Sequence, residues 1–478
     1  MKLTGRLARH VLLIATATLL VSCASNQAKY QAKYQAKSQA QENQLSQWIP
    51  EARTLVEQHR GVNLSGVAVS SAAGRGLLYV LHEMNRQRSD QDIPAYLSDQ
   101  AFRSHALSTM HSALAIYDPY FKRIVINQPV FQHFLDSMQS RGISKRKAAM
   151  TVLIHEMVHA ADDIEYDLTA MTKRHRGDKL GARMVSEGHA ELQTESICVK
   201  GDCLEAFYTA HKLYARELLN HTQGSTPAFN SSSAFVYMQG LRFLKSLERK
   251  DPTGELVKLA LKNPPGDALE FFDAANFPDR VRADRRARLY DILETVELTM
   301  PGQATGVPEQ IFDLFALPQD RIGRDNYIQQ QRERILASAS MKYYYQLDQN
   351  RFTSVKIDLY ETASAGTAKA LAEQLIDTNH HQHMRGSKIL GISSSTLNES
   401  ELGEISTGLP SETRRIVRDI DLGENPDSMR FFTSLLTEGP YLIKVDNSNN
   451  NELNKHVIVE MLEALRQQSL VADNSDSV

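Results

Sequence analysis

His155 and His159 lie four residues apart in the run Thr151-Val-Leu-Ile-His155-Glu156-Met-Val-His159. On a helix this spacing puts both imidazoles on one face, where they can share a metal ion. Ala149, Val152, Leu153, Met157 and Ala160 form an apolar stripe at helical spacing, which supports the helix independently. Glu156 would flank the ion's open position, where a carboxylate can take a proton from water. An exposed polar helix can carry the same three residues without a metal, so the third ligand decides.

A metzincin-type helix would continue with glycine and a third histidine, but the chain has Asp162 and Glu165 there. Instead, Ser186-Glu187-Gly-His-Ala-Glu191 follows, with Glu187 placed 28 residues beyond His159 on an expected second helix. Glu187 and Glu191 are one turn apart. One can bind the ion while the other orients a ligand histidine through its free ring nitrogen. His189 is the rival ligand, turned about 200° from Glu187 around the helix, so one ion cannot take both. Glu187 is preferred, with Glu191 behind it, and Zn2+ is the expected cofactor.

With these motifs the chain resembles the gluzincin metallopeptidases, and within them a group of bacterial exported zinc peptidase-like proteins. Tyr117-Asp-Pro119 with the strand Arg123 to Ile126, the extended helix His155 to Leu168, and Glu187-Gly-His-Ala190 carry the resemblance. Tyr237-Met-Gln-Gly-Leu-Arg-Phe243 and Asn263-Pro-Pro265 extend it over roughly residues 46 to 280. The stretch after Pro265 departs from that group's pattern. The resemblance implies a zinc site of His155, His159 and Glu187, catalytic Glu156, and Asp163 with Glu191 as supporting groups. It also implies hydrolysis of a peptide or protein substrate. Tyr237, on a later helix, is the candidate donor to the oxygen that becomes negative. The strand Arg123 to Ile126 is the expected edge for an extended peptide. The alternative is a catalytically idle zinc-binding lipoprotein acting as a cell-envelope binding or assembly factor.

The elements that must position these residues follow from the pattern. Residues 48 to 59 read as an amphipathic helix closed by Gly61, 66 to 70 as a strand, and 115 to 126 as a hairpin with an Asp-Pro turn. Helices dominate from Lys145 to Leu298, broken at Asn263-Pro-Pro-Gly266 and Asn276-Phe-Pro278. Later, 354 to 362 and 430 to 445 read as strands, and 365 to 377 and 452 to 468 as helices. The expected fold class is α+β and mostly helical. A gluzincin-like domain with a small N-terminal sheet spans residues 46–298. A connector spans 299–335, a smaller α+β accessory domain 336–470, and a disordered tail 471–478.

The N-terminus reads as an address. Lys2, Arg6 and Arg9 precede an apolar run from Val11 to Val21 that ends in Leu20-Val-Ser-Cys23, the pattern of a lipoprotein signal over 1–22. Lipidation of Cys23 would anchor the chain in a bilayer, and Ala24 after it points to the outer membrane, facing the periplasm. Residues 23–45, with their Gln-Ala-Lys-Tyr repeats, read as a tether.

Among 478 residues, 42% hydrophobic and 23% charged, the net charge is −3. No concentrated basic surface suggests nucleic acid as a partner. Cys198 and Cys203 flank a Gly-Asp turn, and in an oxidising compartment a disulfide is the expected state. The histidines of His380-His-Gln-His383 and the basic run Lys173-Arg-His-Arg176 read as solvated loops.

Overall fold

The computed structural model describes residues 44–88, 113–168, 170, 179–221, 228–266, 269–299, 304–308, 329–346, 352–376, 394–396, 413–420, 429–447 and 451–475. Outside them lie the signal segment, Cys23, the repeats, Lys173 to Arg176, and His380 to His383. No helix among the described residues is long and apolar enough to cross a membrane. The fold is mostly helical α+β with two sheets.

Helix α1 (44–60) buries Leu45, Ala52 and Val56 and ends at Gly61, whose φ of 69° stops the helix with a left-handed residue. Three strands follow: β1 (Ala68–Ala72), β2 (Ala115–Asp118) and β3 (Arg123–Asn127), with helix α2 (Gly74–Arg88) between the first two. Their order is β1-β3-β2, with β1 parallel and β2 antiparallel to β3. Helix α3 (Gln128–Gln139) leads to α4 (Lys145–Tyr166), which carries the two metal-motif histidines. Ser144 caps α4 by accepting the Lys147 N–H, and left-handed Asp167 terminates it. Ala148 through Asp163 are all buried, so α4 is the central helix of this core rather than an exposed polar one.

Helix α5 (Lys179–Lys200) carries Glu187 and turns through the disulfide Cys198–Cys203 into α6 (Leu204–His221). Helix α7 (Ala228–Lys250) crosses α5 at two glycines. A Cβ on Gly240 would lie 2.0 Å from the Met184 carbonyl oxygen, and one on Gly188 would lie 2.2 Å from the Gly240 carbonyl carbon. Only glycine lets the two backbones touch, and the contact brings Tyr237 beside α5.

After α8 (Glu255–Lys262), helix α9 (Arg280–Thr299) opens the second core. It packs on a sheet ordered β4-β5-β6-β10-β9-β8-β7 with every neighbouring pair antiparallel. The strands are β4 (Ala304–Pro308), β5 (Ile335–Gln346), β6 (Phe352–Thr362), β7 (Ser394–Thr396), β8 (Arg414–Ile420), β9 (Met429–Glu438) and β10 (Tyr441–Asn447). Leu289, Leu293 and Val296 of α9 share a core with Met341, Ile357, Val445, Val457 and Met461. Val457 and Met461 belong to the C-terminal helix Asn451–Ser475. On the other face, the helix at 365–376 covers Tyr360, Leu435 and Leu442 through Leu371 and Leu375.

The boundary drawn at residue 298 therefore cuts this second core, because α9 belongs to it. The expected connector contributes β4, which pairs with β5, while 309–328 lie outside the described residues. The run 430–445 is two strands that turn at Gly439-Pro440, and the C-terminal helix continues into the expected tail.

Candidate metal centre

Helices α4 and α5 converge three atoms on one point. His155 Nε2 and His159 Nε2 are 3.1 Å apart, and each is 3.2 Å from Glu187 Oε2. A tetrahedral zinc with bonds of about 2.0–2.1 Å needs ligand atoms about 3.3 Å apart. The observed triangle is nearly that face, and His155, His159 and Glu187 form a group able to hold a metal ion. Two nitrogens and a carboxylate oxygen also suit a borderline divalent ion chemically.

The ring nitrogens facing away from the triangle have polar neighbours that favour an N–H on Nδ1. His159 Nδ1 lies 3.3 Å from Ser186 Oγ, and His155 Nδ1 lies 3.4 Å from Glu191 Oε1. An N–H on each Nδ1 leaves the Nε2 lone pair free to point inward. Glu191 thus lies behind His155, on the side away from the triangle. Ser186 performs the same task for His159 and carries no sequence signal that marks it for that task.

The electrostatics draw positive charge inward. Burial disfavours the His155 imidazolium, but the carboxylates of Glu187, Glu191 and Glu156 outweigh it and raise the His155 pKa to about 9. Burial likewise pushes Glu187 up, yet His155 and His159 hold it well below the usual carboxylate range. Glu156 is buried, which raises its pKa, while the two histidines and a backbone hydrogen bond from Tyr117 pull the other way. That backbone contact puts β2 beside the carboxylate.

His189 does not compete for the ion. Its Nδ1 is 2.8 Å from Asp162 Oδ2, and its Nε2 faces Gln193. Arg60 closes this network by donating to Asp162 at 2.8 Å, tying α1 to α4 and α5.

Two expectations need correction. Asp163 does not support a ligand histidine. It accepts from the Tyr117 hydroxyl at 2.7 Å and the Leu168 N–H at 3.2 Å, and it pairs with Lys122. One turn beyond His159, it meets the hairpin and anchors β2–β3 to α4. The strand at 123 to 126 is not an edge either: β3 is the central strand, paired on both sides, and β2 is the edge strand nearest Glu156.

Tyr237 does reach the cluster, its ring centroid 5.7 Å from that of His155. His211 on α6 is a residue that local spacing could not reveal: its Nε2 lies 2.7 Å from Glu191 Oε2. No protein-family model, curated protein or solved structure matches the chain.

Proposed function

We propose that the chain is a membrane-anchored zinc-dependent metallopeptidase of the bacterial cell envelope, hydrolysing peptide bonds. One observation carries the reading: three lone-pair atoms at 3.1–3.2 Å converge beside a buried glutamate that is not one of them. A zinc ion held by His155, His159 and Glu187 would supply Lewis acidity and bring the pKa of a water towards neutrality.

The chain's own groups supply the rest. Glu156 is desolvated, and its raised proton affinity suits a carboxylate that accepts a proton and returns it to a departing amine. The Tyr237 phenol is the donor for a developing oxyanion. Edge strand β2 offers an extended peptide main-chain partners next to Glu156, with side-chain preference left to neighbouring surfaces. Lipid on Cys23 and the 23–45 tether would hold this site near a membrane, on the periplasmic face of the outer membrane.

Low exposure favours one alternative. The side chains of His155 and His159 are each 11% exposed and that of Glu187 16%, which suits an idle zinc protein with a binding or assembly role. The full-length protein in detergent and its Glu156→Ala variant separate the two. If both hold one zinc and only the parent cleaves a mixed peptide library, the peptidase stands. If both hold zinc and neither cleaves, the binding role replaces it.

A further inference from the structure

The side chains behind the metal triangle form a chain that runs outward to a third helix. His155 presents Nε2 to the triangle and Nδ1 to Glu191 Oε1 at 3.4 Å. That distance is too long to fix a carboxylate by itself. The other oxygen, Oε2, lies 2.7 Å from His211 Nε2, the short, charge-assisted bond of the series. A carboxylate accepts here, so the His211 ring nitrogen donates. The position of Glu191 is thus set more from α6 than from α4.

His211 is itself held. The buried ring of Phe207, one turn earlier on α6, lies 4.3 Å from it, centroid to centroid. The direction of α6 relative to α5 is fixed where they join. Cys198 and Cys203 are bridged there, the Cys203 N–H bonds the Cys198 carbonyl at 3.1 Å, and the Phe207 N–H bonds the Cys203 carbonyl at 3.0 Å. From this clamp, α5 runs back to Glu191 and α6 runs on to His211, and the two side chains meet.

We infer, resting on the metal-binding reading of the site, that His211 is a positioning residue for the metal centre: it holds Glu191 against His155 and so fixes the ring that presents a ligand nitrogen. Its contribution is transmitted through the carboxylate and needs no contact with ion or substrate. Removing the His211 N–H would free Glu191 to turn away, and His155 would lose the partner that selects its tautomer.

The test uses the full-length protein and two variants. His211→Phe keeps a ring against Phe207 and removes the donor, while His211→Gln keeps an N–H donor. Zinc affinity is read by chelator competition, ligand geometry by the visible spectrum of the cobalt-loaded protein, and folding by the thermal midpoint of the metal-free form. Zinc should bind His211→Phe about tenfold to a hundredfold more weakly. His211→Gln should restore both affinity and spectrum, with the metal-free midpoints alike.

Parent-like zinc affinity in His211→Phe, or equal losses in both variants, would overturn the inference. Glu191→Gln gives a second check: adding His211→Phe to it should cost nothing more, since both act along one chain, and additive losses would count against it. A parent that holds no zinc would remove the metal centre itself, a failure distinct from either of these.

Discussion

In the seven-stranded sheet, the buried ammonium of Lys444 lies 3.4 Å from Asp358 Oδ2 and 2.5 Å from Asp446 Oδ2. Ser340 donates to Asp358 at 2.6 Å, Thr433 donates to Asp446 at 2.6 Å, and Lys356 adds a second cation at 3.2 Å. Between α4 and α5 the balance is reversed. There, two imidazole nitrogens and a carboxylate oxygen face one another, and the surrounding carboxylates favour positive charge on His155, raising its pKa to about 9. Both clusters bury charge, but the sheet's cluster is complete in its own side chains while the helical one calls for a cation. Closed polar networks specify structure, and open ones of this kind mark sites.

Zinc itself should separate the two clusters most widely. At about a thousandfold excess over its dissociation constant it should stabilise the parent by about 4 kcal/mol, and it should do nothing for His155→Ala. Calorimetric melts with and without zinc would read this; a His155→Ala protein that still responds would place the ion elsewhere.

Next in size is Lys444→Met, which leaves buried Asp358 short of a partner. It should cost on the order of 3 kcal/mol in urea unfolding while leaving zinc affinity unchanged. Weakened zinc binding in that variant would break the distinction between the clusters.

Gly240→Ala tests the scaffold behind the site. Its new Cβ would meet the Met184 carbonyl oxygen at 2.0 Å, so α5 and α7 must separate. The expected loss is about 1–3 kcal/mol, accompanied by weaker zinc binding because Glu187 and Glu191 ride on α5.

The smallest effect concerns pH. Burial raises the Asp162 pKa, but His189 and Arg60 reverse this and hold it below its ordinary value of 3.8. A depressed folded-state pKa contributes stability that is full above the ordinary value and is lost as pH falls below it. Asp162→Asn should therefore flatten the decline in stability on the acid side of pH 3.8, as measured by urea midpoints across that range. A slope equal to the parent's would assign acid sensitivity to other carboxylates.

The grouping of the candidate metal-binding side chains was legible because its information is local. His155 and His159 are set by one helical turn, and Glu187 with Glu191 by another; the structure needed only to bring α4 and α5 together. The disulfide was legible for the same reason, its partners lying five residues apart. His211 and the Tyr117 N–H act through packing between separate elements, which periodicity does not encode. Edge or centre is likewise a property of strand order, so β3 could be read as a strand but not as the middle one.

Strand β5 shows a different blindness. It puts Ile335, Ala337, Ala339, Met341 and Tyr343 into the core, with Ser338 and Ser340 buried on its other face. Alternating alanine and serine gives little hydrophobic contrast, so the period of two is faint although both faces are covered. Helix α9 reads as one more helix in a helical run, and only its partners reveal which core it serves.

The contact at Gly188 and Gly240 limits how the site can move. Where two helices interlock through side chains, rotamer changes let one slide past the other by small steps. Here the opposing surfaces are main chain, which has no rotamers to exchange. Glu187 and Glu191 on α5 and Tyr237 on α7 thus flank a backbone contact that side-chain rotamers cannot loosen. The β2–β3 hairpin, by contrast, is held to α4 through side chains, Tyr117 and Lys122 on Asp163.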